Sequence, residues 1–182
     1  MRHVHDNPQR LQAFLAGIEG RAFRIAQLAT SNRDEALDLV QEAMMKLAQN
    51  YAQQAEEEWK PLFYSILQSR IRDWHRRQSV RNRFRTWFFR HEDEDEEDPL
   101  EQLPAASASE PSTHLENEQF MARLNAELGA LPYRQQQVFL LRVWEGLDIA
   151  QTAVAMQCSE SSVKTHHARA LERLRTQLEE HR

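Results

Sequence analysis

The sequence predicts an all-α protein of two small helical domains joined by a flexible acidic linker, and three observations carry that prediction. Only four of 182 residues are glycine, β-branched clusters are scarce, and Ala, Leu, Gln, Glu and Arg dominate, a composition that favours helix. Apolar residues recur at three- and four-residue steps on both sides of a central segment. That segment, residues 91–114, combines seven consecutive acids from Glu92 to Asp98 with "PLEQLPAASASEPS", too little apolar surface to form a core.

Formal net charge is −5, which alone argues against a nucleic-acid binder, yet charge is strongly segregated along the chain. Eight arginines (70, 72, 76, 77, 81, 83, 85 and 90) lie among aromatics, opposed only by Asp73, immediately before the acid run. The basic stretch attracts a polyanion and the acidic one repels it. A single cysteine, Cys158, excludes an internal disulfide and fits a reducing compartment, with the cytoplasm as the expectation. No apolar run reaches the roughly 20 residues of a membrane span, and "MRHVHDNPQR" has no signal-peptide centre.

Residues 1–90 are expected to form the first domain. Leu11, Phe14, Leu15, Ile18, Phe23, Ile25 and Leu28 suit one or two amphipathic helices, with Gly17 and Gly20 as the points of interruption. Asn32 or Asp34 opens a second helix carrying Leu37, Val40, Met44 and Leu47. A third is predicted from about Lys60, with Pro61 in its first turn, through Leu62, Ile66, Ile71 and Trp74 toward Arg85. Trp87, Phe88 and Phe89 are read as a seal at the base of this domain.

Residues 115–182 form the second domain. Leu115, Phe120, Leu124, Leu128 and Leu131 mark a helix ending by Pro132, and "YRQQQVFLLRVWEG" supplies another that stops at Gly146. Asp148 caps a helix from Ile149 to about Met156, "QCS" makes a turn, and Ser159 caps a last helix to about Leu178. This is the layout of a helix-turn-helix. Ala153 is the small residue at the crossing, and Val163, Ala170, Leu171 and Leu174 form the stripe that faces it. Ser161, Ser162, Lys164, Thr165, His166 and Arg169 then lie on the half that enters a major groove. The pattern alone leaves two readings open, DNA recognition and a plain amphipathic bundle helix.

No Gly-rich phosphate loop, nucleophile motif or Cys/His ligand set is present, so the sequence offers no catalytic centre, no metal site and no cofactor site. His166 and His167 are adjacent and point about 100° apart on a helix, a poor metal pair. His3 and His5 lie in a terminus expected to fray. Cys158 suits a small buried residue at the turn better than a redox sensor.

Three stretches together resemble the extracytoplasmic-function group of bacterial sigma factors. "EALDLVQEAMMKLAQNY" is similar to the region-2 helix that docks on the β′ clamp helices of RNA polymerase. "PLFYSILQSRIRDWHRR" is similar to the helix that handles the −10 element. "LGALPYRQQQVFLLRVWEGLDIAQTAVAMQCSESSVKTHHARALERL" is similar to region 4, which reads the −35 element. The chain departs from the family pattern at Leu37, where an acid is usual, at Ser69, where Asn is common, and in "GLDIAQTAVAM", which lacks the usual Glu-Glu-Ile. These departures bear on exact contacts and on promoter sequence.

The resemblance implies a sigma region 2 of three or four helices, an acidic linker and a region 4, in a factor that binds core polymerase (β′ clamp helices and β flap) and directs promoter-specific initiation. Asp38, Leu39, Gln41 and Glu42 are then candidates for polymerase binding; Asp38, Gln41 and Glu42, at i, i+3 and i+4, share one helix face. Leu39 is read as packing inside or at the rim of that interface. Arg70, Arg72, Trp74, His75, Arg76, Arg77, Arg81 and Arg83 are candidates for −10 DNA, with Trp74 read equally well as a core residue. Ser161, Ser162, Lys164, Thr165, His166 and Arg169 are candidates for −35 DNA. The linker is expected to thread the polymerase cleft, its acids mimicking RNA. An anti-sigma factor, often membrane-bound in this group, is a further implied partner. The alternative is a stand-alone helix-turn-helix regulator of transcription, for which no dimerisation heptad is evident.

Overall fold

The computed structural model describes residues 7–87 and 117–179, with side chains over residues 7–82 and 120–179. The side chains of Arg83, Arg85 and Trp87 therefore lie outside the described residues, as do Phe88, Phe89, the acid run and the rest of the linker, Leu115, His3 and His5. The described residues form seven α-helices and one π turn, with no strand among them.

The first lobe holds α1 (Asn7–Thr30), α2 (Arg33–Tyr51) and α3 (Glu56–Trp87). Helix α1 is continuous through Gly17 and Gly20, both on its exposed side. Its buried stripe of Leu11, Ile18, Ala22, Ile25, Ala26 and Ala29 supplies enough packing to override the weak helix propensity of two glycines. The chain reverses through Ser31, whose φ is 52°. Asn32 then caps α2, its Oδ1 accepting from the amides of Asp34 (3.0 Å) and Glu35 (3.1 Å). Those two acids also complement the positive helix start. The buried face of α2 is Ala36, Leu39, Val40, Ala43 and Leu47, so Leu37 is left at the rim, 37% exposed.

Helix α3 begins at Glu56, four residues earlier than expected, because three consecutive glutamates fill its first turn and outweigh the proline start signal. Pro61 sits inside the helix instead. Trp59, Phe63, Tyr64, Leu67 and Ile71 project from α3 into the centre of the lobe and are fully buried. The Trp59 indole N–H donates to the Tyr51 carbonyl at 3.2 Å, and its ring tilts against Phe14 with centroids 5.8 Å apart.

The second lobe holds α4 (Asn117–Ala130), α5 (Tyr133–Phe139), the π turn (Leu140–Trp144), α6 (Ile149–Met156) and α7 (Glu160–Glu179). The helix expected from "YRQQQVFLLRVWEG" widens after Phe139, where the Glu145 amide bonds to Leu140 O at 3.1 Å, five residues back. Gly146 ends it at φ 67°, a conformation glycine adopts without strain. Asp148 and Gln151 close a reciprocal capping box at the start of α6.

The turn of the helix-turn-helix is a left-handed closure. Gln157 has φ 52° and ψ 50°, and the Cys158 amide donates to Ala153 O at 3.1 Å while that of Gln157 donates to Val154 O at 3.2 Å, the Schellman pattern. Ser159 Oγ accepts from the Ser162 amide at 3.1 Å and so caps α7. Ala153, Val163, Ala170 and Leu174 are buried as expected, whereas Leu171 is 45% exposed; one residue past Ala170 it lies about 100° round the helix and off the stripe. Phe120, expected on the apolar face of α4, is likewise 50% exposed.

Because Gln157 carries a Cβ in left-handed backbone, Gln157→Gly should relieve strain there. A gain of about 0.5–1 kcal/mol remains after the extra chain entropy of glycine is counted, and urea titration of the two chains measures it.

Candidate nucleic-acid interface

The two lobes do not stand apart; α3 packs along α6, and α1 touches α4 and α5. The seam between them is polar yet closed to water. Gln68 of α3 and Gln136 and Gln137 of α5 are fully buried. Gln68 Nε2 donates to Gln137 Oε1 at 2.6 Å, and the Tyr133 hydroxyl donates to Gln68 Oε1 at 2.9 Å. Gln137 Nε2 donates to Gln136 Oε1 at 2.8 Å, and Gln136 Nε2 to the Leu128 carbonyl at 2.9 Å. A buried amide left unmatched costs about 1–3 kcal/mol, and the two bonds made by Gln68 form only while both lobes are in place.

Basic residues of the first lobe reach into the second at two further points. Arg72 is 6% exposed, and its guanidinium donates to the carbonyl of Ala155 in α6 at 2.7 Å. Burial lowers its pKa. Glu145, at the end of the π turn, has a side chain closed to solvent; Arg21 Nε lies 3.0 Å from Oε1 and Lys60 Nζ 3.4 Å from Oε2. The Tyr64 phenol is nearby, and burial first, then the Glu145 charge, pushes its pKa far up.

These contacts decide where the candidate −10 residues sit. Arg70 pairs with Glu42 of α2 at 3.6 Å, which couples a candidate DNA contact to a candidate polymerase contact. Arg76, Arg77 and Arg81 are exposed on the outer turns of α3, with Arg76 3.9 Å from Asp73. Arg72 and His75 are instead covered by the second lobe. The His75 ring meets the Tyr133 ring edge-on at 4.8 Å, and the half-buried Trp74 at 4.9 Å. Trp74 also packs on the core cluster, so it is partly a core residue here.

On α2, Asp38, Gln41 and Glu42 are exposed together as their spacing requires, whereas Leu39 is 2% exposed and faces the core. Leu39 has no side-chain surface to offer a partner. On α7, Ser161, Lys164, Thr165 and Arg169 are exposed, and Ser162 and His166 are half-buried. The Ser162 hydroxyl is 2.8 Å from that of Ser159, and Thr165 Oγ1 donates to Ser161 O at 3.1 Å. These two hydroxyls serve the helix end in this conformation. Cys158 is half-buried beside the turn, and burial raises its thiol pKa, which keeps it in the less reactive thiol form.

Residues 13–81 match the family described as Sigma-70 region 2, and residues 121–174 match Sigma-70, region 4. The two matches occur in that order and take in both lobes. Together they account for most of the chain, which belongs to the Sigma-70 family. It is 40% identical over 84 residues to the RNA polymerase sigma-E factor of Streptomyces avermitilis, and 42% identical over 84 residues to that of Streptomyces antibioticus. Each match takes in 46% of this chain and 45% of the relative, so the chain aligns with about half the length of these relatives. Among solved structures, the sigma factor RpoE of Bartonella quintana, crystallised with the anti-sigma factor NepR, superposes with a TM-score of 0.65. That superposition covers 97% of this chain and 98% of that one at 23% identity, and it shows a shared fold.

In sigma-factor terms the first lobe is region 2, the second is region 4, and the buried seam joins them. A stand-alone helix-turn-helix regulator is not favoured, because it leaves the region 2 match unexplained. Sequence reasoning missed Gln68, Gln136, Gln137 and Glu145, since polar residues on an amphipathic helix read as solvent-facing. Only the run of three glutamines before an apolar stretch carried any signal.

His75 supplies a pH test of the seam. Burial depresses its pKa from 6.5 to about 4, opposed by a hydrogen bond that the ring donates to the Ala29 backbone carbonyl, and its Nε2 is buried without a partner. The packed state therefore disfavours the imidazolium. Stability is unaffected above pH 6.5, falls as pH drops below it, and levels off near 4, a loss of up to about 3 kcal/mol. Urea midpoints of wild type and His75→Phe across that range should diverge, with the variant lacking this component of the slope.

Proposed function

We propose that this chain is a promoter-specificity subunit with no catalytic centre of its own, which binds core RNA polymerase and directs initiation at promoters from the cytoplasm. The observation that carries the reading is the pairing of region 2 and region 4 in one chain, with an acidic-amide face open on α2 and a basic, hydroxyl-rich half open on α7. Asp38, Gln41 and Glu42 present two carboxylates and an amide to a basic helical partner, the role we assign to the β′ clamp helices. Lys164 and Arg169 can reach phosphates or guanine edges in the −35 major groove, with Ser161 and Thr165 beside them on phosphates. The β flap is assigned as the second polymerase contact, made by region 4.

For the −10 element, Arg70, Arg76, Arg77 and Arg81 neutralise backbone charge, and Arg72, Trp74 and His75 add hydrogen-bonding and stacking surfaces once region 4 has moved away. Arg83 continues the same series. Residues 1–90, 91–114 and 115–182 are the proposed functional divisions, with the acidic segment in the polymerase channel. An anti-sigma factor is a proposed partner, since the RpoE relative was crystallised with one.

Size-exclusion chromatography with bacterial core polymerase tests this reading. Wild type should co-elute stoichiometrically, and the double variant Gln41→Ala, Glu42→Ala should bind at least about tenfold more weakly, the loss of two charge-assisted or polar contacts. Absence of co-elution at low salt would overturn the reading.

A further inference from the structure

We propose that Glu145 is an intramolecular latch: its carboxylate, held by Arg21 of α1 and Lys60 of α3, keeps region 4 folded over region 2 and so masks the −10 surface of the free chain. Three observations converge on it. Glu145 comes from region 4 and both its cations come from region 2, so the ion pairs exist only in the closed chain. Its side chain is sealed from water, whereas Arg21 is 55% and Lys60 36% exposed; the desolvation of Glu145 arises only on closing, and the closed state stands only while both cations offset it. And the same lobe contact covers Arg72 and His75, which are committed to Ala155 and Tyr133.

The masking clause rests on the proposed function and follows from length. Elements at −35 and −10 lie about 25 base pairs apart, about 85 Å along B-form DNA. A compact chain of this size has a radius of gyration of about 16 Å. With α3 and α6 within hydrogen-bond reach of each other, one chain cannot occupy both elements, so the seam must open before both are engaged. A charge latch suits that step better than an apolar seam would. Its components regain water on opening, and a partner that competes for Arg21 or Lys60 can release it.

The test uses the full chain with Cys158→Ser and dye-labelled cysteines introduced by Gln49→Cys on α2 and Arg173→Cys on α7, both exposed positions. Energy transfer between the dyes reports closure, and binding of a mixed-sequence single-stranded DNA 12-mer reports access to the −10 surface. Glu145→Gln should lower transfer; if it raises the open fraction from about a tenth to about a half, DNA affinity rises about fivefold. Arg21→Gln, at an exposed position that does not endanger folding, should act in the same direction, and the double variant should do little more than Glu145→Gln alone. Transfer and affinity unchanged in both single variants would overturn the latch. Reduced transfer and raised affinity in a chain that fails to bind core polymerase would support the latch and sink the promoter reading.

Discussion

A carboxylate cannot be withdrawn from water unless its charge is answered where it goes, and Glu145 is answered entirely by residues of the other lobe. Arg21 and Lys60 stand on α1 and α3, at 3.0 and 3.4 Å. The same dependence recurs in neutral form along the seam, where Gln68 bonds to Gln137 and Tyr133 across the boundary. Neither lobe can bury these groups alone at acceptable cost. The relative placement of the lobes therefore rests on matched polar groups as well as on the apolar cluster that both lobes share.

Two local departures from regular geometry set the seam up. The π turn after Phe139 adds a residue to the helical repeat, so Glu145 lies elsewhere than an α-helical continuation would place it, and Gly146 at φ 67° ends the helix directly after it. π turns inside helices are uncommon and often mark functional positions. On the other lobe, α3 runs 32 residues without a break. One rigid element thereby carries Lys60 at the latch, Gln68 at the amide chain and Arg72 and His75 at the masked surface, so these sites respond together when the lobes separate.

The arrangement also sorts the basic residues of α3 into two groups. Arg76, Arg77 and Arg81 stay open at its outer end, while Arg72 and His75 are held under region 4. A polyanion can meet the first group in the closed chain, by long-range attraction that needs no rearrangement. The second group requires opening. In the proposed −10 role, attraction and recognition are thus separable along one helix.

Much of the fold was legible because it rests on short-range rules. Periodic apolar residues marked α1, α2 and α7, Asp148 and Ser159 announced their helix starts, and Ala153 announced the helix-turn-helix crossing; each depends on neighbours within a few residues. Where two local signals competed, as with Pro61 against Glu56–Glu58, the sequence alone did not say which would prevail. The exposed faces of α2 and α7 followed from spacing for the same reason. What only tertiary structure decided is the fate of polar residues whose partners are distant in the chain. Gln68 lies 69 residues from Gln137, and Arg21 lies 124 from Glu145. Nothing in the composition or periodicity of either segment encodes such a pairing, because a glutamine that will be buried and one that will be solvated present the same side chain until the opposite lobe supplies, or fails to supply, its hydrogen-bond partner.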